Sequence, residues 1–337
     1  MPRYDWKSRC RGRRSSLWID GIGQHNLGVM SEAYRGLNDP AQDIAYLKAG
    51  GNLRVPVLQA FLDAGRSKVS ILTRKESKSL FPESVKVHKA DYTNVTELQR
   101  SMEGQDVVIS MVTGLAAGDQ NILVDAAIAA GVKRFLPSEF GPPSRDAAFA
   151  ALNQAILPLK TAAVDYLKTK ESQISWTSIV TGAFFDWALD SGFIGFNILT
   201  RTVGLIDGGT TVFTASTLAY IAKAVLACLE RPDETKNQYV FIGEFNVTQL
   251  EVLKTLEEVR GESWSVEHLK SEDVLASGER RTAEGDHMAI VEFTRAGALG
   301  KRGLGDNRPW GLWDENLGLK RRSLDQAVRE SVARVAS

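Results

Sequence analysis

The sequence predicts an α/β fold: a doubly wound parallel sheet followed by a smaller C-terminal region. From Val55 onward, short β-branched runs alternate with helical segments, and that alternation implies parallel strands joined by helical crossovers. The run Val107-Val108-Ile109-Ser110-Met111-Val112 is apolar almost throughout, as a strand covered on both faces must be. The stretch from Ala49 to Ser77 reads as a glycine turn, a helix and a strand closed by a basic pair, which is half of a βαβ unit.

Taken in order, residues 1 to about 47 do not open like a doubly wound sheet. Ala41 to Leu47 is more helical than strand-like, and the glycine cluster Gly21 to Gly28 has Asn26 where a phosphate loop needs its last glycine. Pro56 to Ala64 is expected as a helix, Val69 to Thr73 and Val85 to Ala90 as strands, and Thr93 to Met102 as a helix. Asp119 to Ala130 follows as a helix stopped by Gly131, with Lys133 to Ser138 as the next strand. One longer helix over 147–170, interrupted or started at Pro158, leads into a strand over Ile174 to Val180. Thr214 to Leu229 reads as an amphipathic helix, Gln238 to Ile242 as a strand and Thr248 to Arg260 as a helix. Beyond Glu262 the pattern is mixed helix and glycine-rich loop.

Ligands of such sheets bind beyond the carboxyl ends of the strands, here Gly51, Arg74, Thr113 and Ser138 to Gly141. Glycines at Gly50 and Gly51, followed by Asn52 and Leu53, let the backbone approach a pyrophosphate, and the helix after them directs its partly positive N-terminus at the same anion. A carboxylate at the end of the second strand would select a free ribose hydroxyl. Arg74, with Lys75 and Lys78, suits a 2′-phosphate instead, so the expected cofactor is NADP(H). Thr113, Ser138, Glu139 and Phe140 complete the expected cofactor set. An ordinary helix-opening turn reads much the same, because Lys48 and Arg54 occupy two of the three glycine slots of GxxGxxG.

Tyr166 and Lys170 match a YxxxK dyad, but Lys170 precedes the strand at Ile174 by only a few residues and belongs at the helix end in solvent. Lys160 stands at the useful height, with Ile156 where a dyad tyrosine would be. Catalysis is therefore expected to rest on Lys160 alone as acid or base, and a plain surface lysine is the other reading. Phe184, Phe185 and Trp187, with Phe193 and Phe196, form an aromatic-rich segment after a strand end that reads equally as core packing or as a substrate-pocket wall. Asp186 could orient a substrate hydroxyl, though helix capping is the simpler role.

Composition narrows the partners. Lys+Arg and Asp+Glu balance at 41 each, which gives no reason to expect nucleic acid or an anionic membrane. Cys10 and Cys228 are too few for a disulfide framework, the four histidines share no ligand spacing, and no long apolar run follows the basic Arg11 to Arg14, so a metal-free cytoplasmic protein is expected, as monomer or homodimer.

Gly51-Asn52-Leu53, Val69 to Lys75 (VSILTRK), Gly131 to Gly141 (GVKRFLPSEFG), Pro158-Leu159-Lys160 and Ser175 to Trp187 (SWTSIVTGAFFDW) together resemble the NmrA-like, isoflavone-reductase-like branch of the atypical short-chain dehydrogenases, and its fungal members in particular. The resemblance covers about residue 49 to the C-terminus. It implies a Rossmann domain binding NADPH over 49–182, a substrate-binding region over 183–337 and a single helix lysine as acid/base, which falls on Lys160. The family's first strand and its first and third glycines are expected to be absent, as if residues 1–48 came from a gene-model error, and Arg54 is expected to intrude on the pyrophosphate. Two functions fit. One is an NADPH-dependent oxidoreductase of a small aromatic or polyketide-type molecule in secondary metabolism. The other is a non-catalytic dinucleotide sensor acting on a transcription factor, which needs no mid-helix base.

Overall fold

Seven parallel strands form the centre of the molecule, in a computed structural model that describes residues 43–47, 51–112 and 114–336. The first half runs β1 (Asp43–Leu47), α1 (Arg54–Ala64), β2 (Lys68–Arg74), β3 (Lys86–Ala90), α2 (Val95–Met102), β4 (Val107–Ser110), α3 (Gln120–Ala129), β5 (Arg134–Leu136), α4 (Ala147–Leu152), α5 (Leu157–Lys168) and β6 (Ser175–Val180). The second half runs β7 (Ala183–Phe184), α6 (Phe185–Asp190), β8 (Phe196–Asn197), β9 (Thr202–Ile206), β10 (Phe213–Ser216), α7 (Leu218–Glu230), α8 (Pro232–Thr235), β11 (Gln238–Phe241), β12 (Phe245–Val247), α9 (Gln249–Arg260), β13 (Ser265–Leu269), α10 (Ser271–Ala283), α11 (Ile290–Leu299) and α12 (Leu324–Ala336).

The large sheet has the order β11-β6-β5-β4-β1-β2-β3, so the chain winds outward from β1 in both directions and reverses between β1 and β4. Alternate residues of each strand face opposite layers. Ile71, Val107 and Ile109 pack with Val57 and Phe61 of α1 and Ile221 and Val225 of α7. Leu72, Val108 and Phe135 pack with Leu98, Leu123 and Val164 of α2, α3 and α5. Both faces of the sheet are thus covered, which is why its strands read as apolar runs rather than as alternations. After β6 the chain builds two three-stranded sheets, β12-β10-β7 and β13-β9-β8, around a third core centred on Phe185, Phe196, Phe213 and Trp264. It also returns β11 to the edge of the large sheet, parallel to β6. Among the described residues no helix is long and apolar enough to cross a membrane.

Three expectations are corrected. The segment before the glycine turn is not helical: it is β1, the strand expected to be missing, with Ile44 paired to both Val69 and Val107 and Leu47 to both Leu72 and Ser110. A strand hydrogen-bonded along both edges is specified by its neighbours more than by its own propensity, and Asp43-Ile44-Ala45-Tyr46-Leu47 is weak taken alone. Residues 213–216 form β10 rather than the start of a helix, and α7 begins only after Thr217, whose side chain accepts from the Tyr220 amide. In the region read as helix and loop beyond Glu262, Ser265–Leu269 is a strand pairing in register with β9.

The turn after β6 carries the tightest constraint. Gly182 has φ +66°, and a Cβ there would lie 2.2 Å from the Thr214 carbonyl oxygen of β10. Gly182→Ala is expected to destabilise the fold by about 2–4 kcal/mol, combining left-handed strain with a backbone clash. A thermal midpoint equal to that of the parent chain would contradict this.

Candidate active site

The carboxyl ends of β1, β2, β4, β5 and β6 open onto one crevice, and the reversal between β1 and β4 marks where a ligand of a doubly wound sheet lies. Gly51 sits in the turn leading to α1 and its carbonyl accepts from the Arg54 amide at 3.2 Å. Asn52 is exposed, while Leu53 is buried in the core beneath α1. Gly50 and Thr113 lie outside the described residues. Arg54 does not intrude on the phosphate path: its guanidinium lies over the Phe81 ring, 5.2 Å from the centroid, and donates to the Leu80 carbonyl. A long flexible stem resolved the conflict by turning outward.

Arg74 and Lys78 are exposed at the end of β2 and make no side-chain hydrogen bond or ion pair with any described residue. Lys75, expected beside them, is held by Glu97 at 2.7 Å. Among the described residues, these two cations at the end of β2 have no side-chain partner, and one is a guanidinium suited to bidentate phosphate contact. These groups, with the Gly51 turn and the first amides of α1, fit a 2′-phosphorylated dinucleotide.

Ser138 and Glu139 both have partners within the protein. The Ser138 hydroxyl donates to the Val112 carbonyl at 2.6 Å and its amide to Gln120 Oε1 at 2.7 Å, which ties the end of β5 to the chain beyond β4 and to the start of α3. Glu139 is 0% exposed. Its Oε1 accepts from the Ser144 hydroxyl at 2.6 Å, and its Oε2 has no hydrogen-bond partner among the described residues. That carboxylate is fully buried, and its burial raises its pKa despite Lys160, Ser144 and Arg145 nearby.

Lys160 lies in the first half of α5, where the helix start near Pro158 brings it beside the β5 end. Its ammonium donates to the carbonyls of Glu139 and Phe140 and rests 3.4 Å from where a Cβ on Gly141 would be. The stem keeps some exposure, but the charged end is enclosed, and desolvation lowers its pKa while Glu139 pulls it partly back. Tyr166 and Lys170 are elsewhere: the phenol donates to Asp125 at 2.6 Å, and Lys170 lies over the Tyr166 ring beyond the end of α5.

Beside Gly141 a cavity of about 150 Å³ opens between the sheet edge and the C-terminal region, lined by Phe140, Gly182, Phe184, Trp187, Phe193 and Phe213 among others. Trp187 and Phe193 pack with ring centroids 5.3 Å apart at its rim. Phe185 and Phe196 do not reach it. Phe185 is fully buried against Phe245, and Phe196 packs edge-on against Trp264, because α6 and β8 turn those positions inward. Asp186 caps helices: its carboxylate accepts from the amides of Leu218 and Trp187. Arg295 of α11 also lines the cavity, although it lies in no motif that sequence reasoning could single out. Among the described residues no cluster of His, Cys, Asp and Glu is arranged to hold a metal.

The lowered Lys160 pKa has a stability consequence. Between its folded value and the ordinary 10.5, the unfolded chain binds more protons than the folded one, so stability rises with pH across that window. Denaturant unfolding of the parent chain and Lys160→Met should show the parent gaining on the variant as pH is raised from neutrality toward 10.5; a constant gap would mean that the ammonium is not desolvated.

Residues 40–292 match the model of the NmrA-like family. The oxidoreductase aprR of Aspergillus flavus is 37% identical over 227 residues, 67% of this chain and 76% of that protein. The oxidoreductase poxI of Penicillium oxalicum is 31% identical over 293 residues, 83% of this chain and 91% of that protein. Among solved structures, the leucoanthocyanidin reductase–NADPH binary complex from Vitis vinifera superposes with a TM-score of 0.73 at 19% identity, covering 86% of this chain and 99% of that one. AtPrR2 with NADP+ and (+)pinoresinol superposes with a TM-score of 0.71 at 19% identity, covering 87% and 99%. The chain belongs to the NmrA-like family.

Proposed function

We propose that the protein is an NADP(H)-dependent oxidoreductase that reduces a small aromatic or polyketide-type molecule of secondary metabolism. The observation that carries this reading is a desolvated lysine, Lys160, held by the Glu139 and Phe140 carbonyls at the edge of an aromatic-walled cavity. The enzyme class is supported by the fungal relatives aprR and poxI, both named oxidoreductases. Cofactor and substrate type are supported by the exposed Arg74 and Lys78, and by neighbours of the same fold described with NADPH or with NADP+ and pinoresinol. In this reading residues 49–182 bind the dinucleotide and 183–337 shape the substrate site.

Bound NADPH would supply the hydride. Arg74 and Lys78 hold the 2′-phosphate and so set the choice between the two nicotinamide cofactors. Phe184, Trp187 and Phe193 orient a flat substrate and exclude water. Lys160 gives or takes a proton at Nζ, and its enclosure brings its pKa nearer the working range of a general acid or base. A dinucleotide sensor gains nothing from such a lysine, which is why the reductase reading is preferred.

Calorimetric titration should give NADPH affinity at least about tenfold above NADH, with Arg74→Ser removing most of the difference, which corresponds to roughly 1.4 kcal/mol. With a panel of aromatic ketones and benzylic ethers as acceptors, Lys160→Ala should lower NADPH oxidation by about 10²–10⁴-fold while leaving NADPH affinity unchanged. Unchanged turnover in that variant removes the proton-transfer role, and tight NADPH binding with no turnover of any acceptor favours the sensor.

A further inference from the structure

Glu139 is a buried carboxylate without an ion pair. Its Oε1 accepts from the Ser144 hydroxyl, and among the described residues neither oxygen meets a cation at contact distance. A fully buried charge is ordinarily paired, since its desolvation is otherwise uncompensated. Two cations stand near enough to act on it, Lys160 and Arg145. Arg145 is directed elsewhere: its guanidinium pairs with Asp165, donates to the Tyr239 hydroxyl at 2.9 Å and lies over the Tyr239 ring. Lys160 is directed at the main chain of Glu139 itself, donating to the carbonyls of Glu139 and Phe140. One residue thus holds the lysine twice, by its carbonyl in contact and by its carboxylate at longer range. Carbonyls carry partial charge only, so among the described residues Glu139 supplies the formal negative charge that acts on the ammonium. The remaining titratable groups around the pair do not replace it. Tyr239 of β11 faces Glu139, Asp165 of α5 is held by Arg145, Asp125 of α3 accepts from Tyr166, and Asp119 at the start of α3 is exposed.

We propose that Glu139 is a positioning residue for Lys160: its carboxylate is the counter-charge that keeps the ammonium charged and seated against the Glu139 and Phe140 carbonyls, beside the aromatic cavity. The effect is electrostatic and acts through the lysine. Enclosure alone favours the neutral amine, and an opposite charge nearby opposes that. Ser144 fixes the carboxylate by one oxygen and favours its ionised form, so the two groups titrate as a coupled pair. This inference deepens the reductase reading and takes from it the use of Lys160 as the group that handles the proton.

The test reads the lysine directly. The full chain, isotopically labelled at lysine Cε, is titrated by NMR, the Lys160 signal being identified by its loss in Lys160→Met. In the parent its midpoint should lie below 10.5, with a smaller inflection of the same signal where Glu139 titrates, above the ordinary 4.5. Glu139→Gln is isosteric and still able to accept from Ser144. It should lower the Lys160 midpoint further, by about one pH unit or more, and abolish the smaller inflection, while Glu139→Asp restores part of the shift. A midpoint that stays or rises in Glu139→Gln, or one in Glu139→Asp no higher than in Glu139→Gln, overturns the assignment. If Glu139→Gln does not fold by circular dichroism, the parent decides, because a Lys160 signal without the smaller inflection overturns it as well. Under the reductase reading, the limb of the kcat/KM profile set by Lys160 moves to lower pH in Glu139→Gln by the same amount. Failure of that reading is seen separately. A midpoint that falls in Glu139→Gln, in a chain that turns over no acceptor, refutes catalysis and leaves the pairing standing; turnover by the parent with an unmoved midpoint does the reverse.

Discussion

The Gly141 carbonyl accepts from two successive amides, Thr181 at 3.1 Å and Gly182 at 2.9 Å, and the placement of everything else in the site depends on that joint. It ties the loop leaving β5 to the turn leaving β6, two strands that pair over only two residues. On one side of the joint stands the Lys160 ammonium; on the other begins the aromatic wall. Because Gly182 is also pressed against the Thr214 carbonyl of β10, the small sheet is brought to the same point. A site assembled from α5, the β5 loop and β10 needs such a hub, since no one element carries more than a few of its groups.

The electrostatics around this hub are those of a dry site rather than a surface one. Lys160 and Glu139 are each pushed toward their neutral forms by burial, and each partly restrains the other. Among the described residues Glu139 Oε2 has no hydrogen-bond partner. Around it Ser144 and the Arg145 guanidinium, itself 2.9 Å from the Tyr239 hydroxyl, form a polar layer beneath the apolar cavity.

Much of this was legible in the residues, and what was not has physical reasons. The strand and helix order from α1 to β6 followed from periodicity, because both faces of the sheet are covered and its strands must be apolar runs. β1 escaped notice because its identity comes from hydrogen bonds on both edges, which no local window contains. Lys160 could be found by counting back from a strand, since helix rise fixes height above a sheet. Phe184 and Phe185 could not be told apart, because adjacent residues at a strand-to-helix turn diverge according to the turn itself. Lys75 follows Arg74 in the chain, but Glu97, which holds it, comes from α2, more than twenty residues on, and no local pattern links the two. Arg295 had no local signature: an arginine on a helix is ordinary, and only the fold gives it an apolar neighbourhood.

The return of β11 to the large sheet bears on how the molecule is made on the ribosome. When β6 emerges, its outer edge is a row of unsatisfied backbone groups, and the strand that covers it, Gln238–Phe241, is synthesised only after both β9 and β10. The intervening chain thus behaves as a long insertion that must be accommodated before the sheet can close, through a contact of high sequence separation. The nascent chain carries an open edge for that interval, so the same topology that sets the site at the sheet's end also delays closure of the sheet.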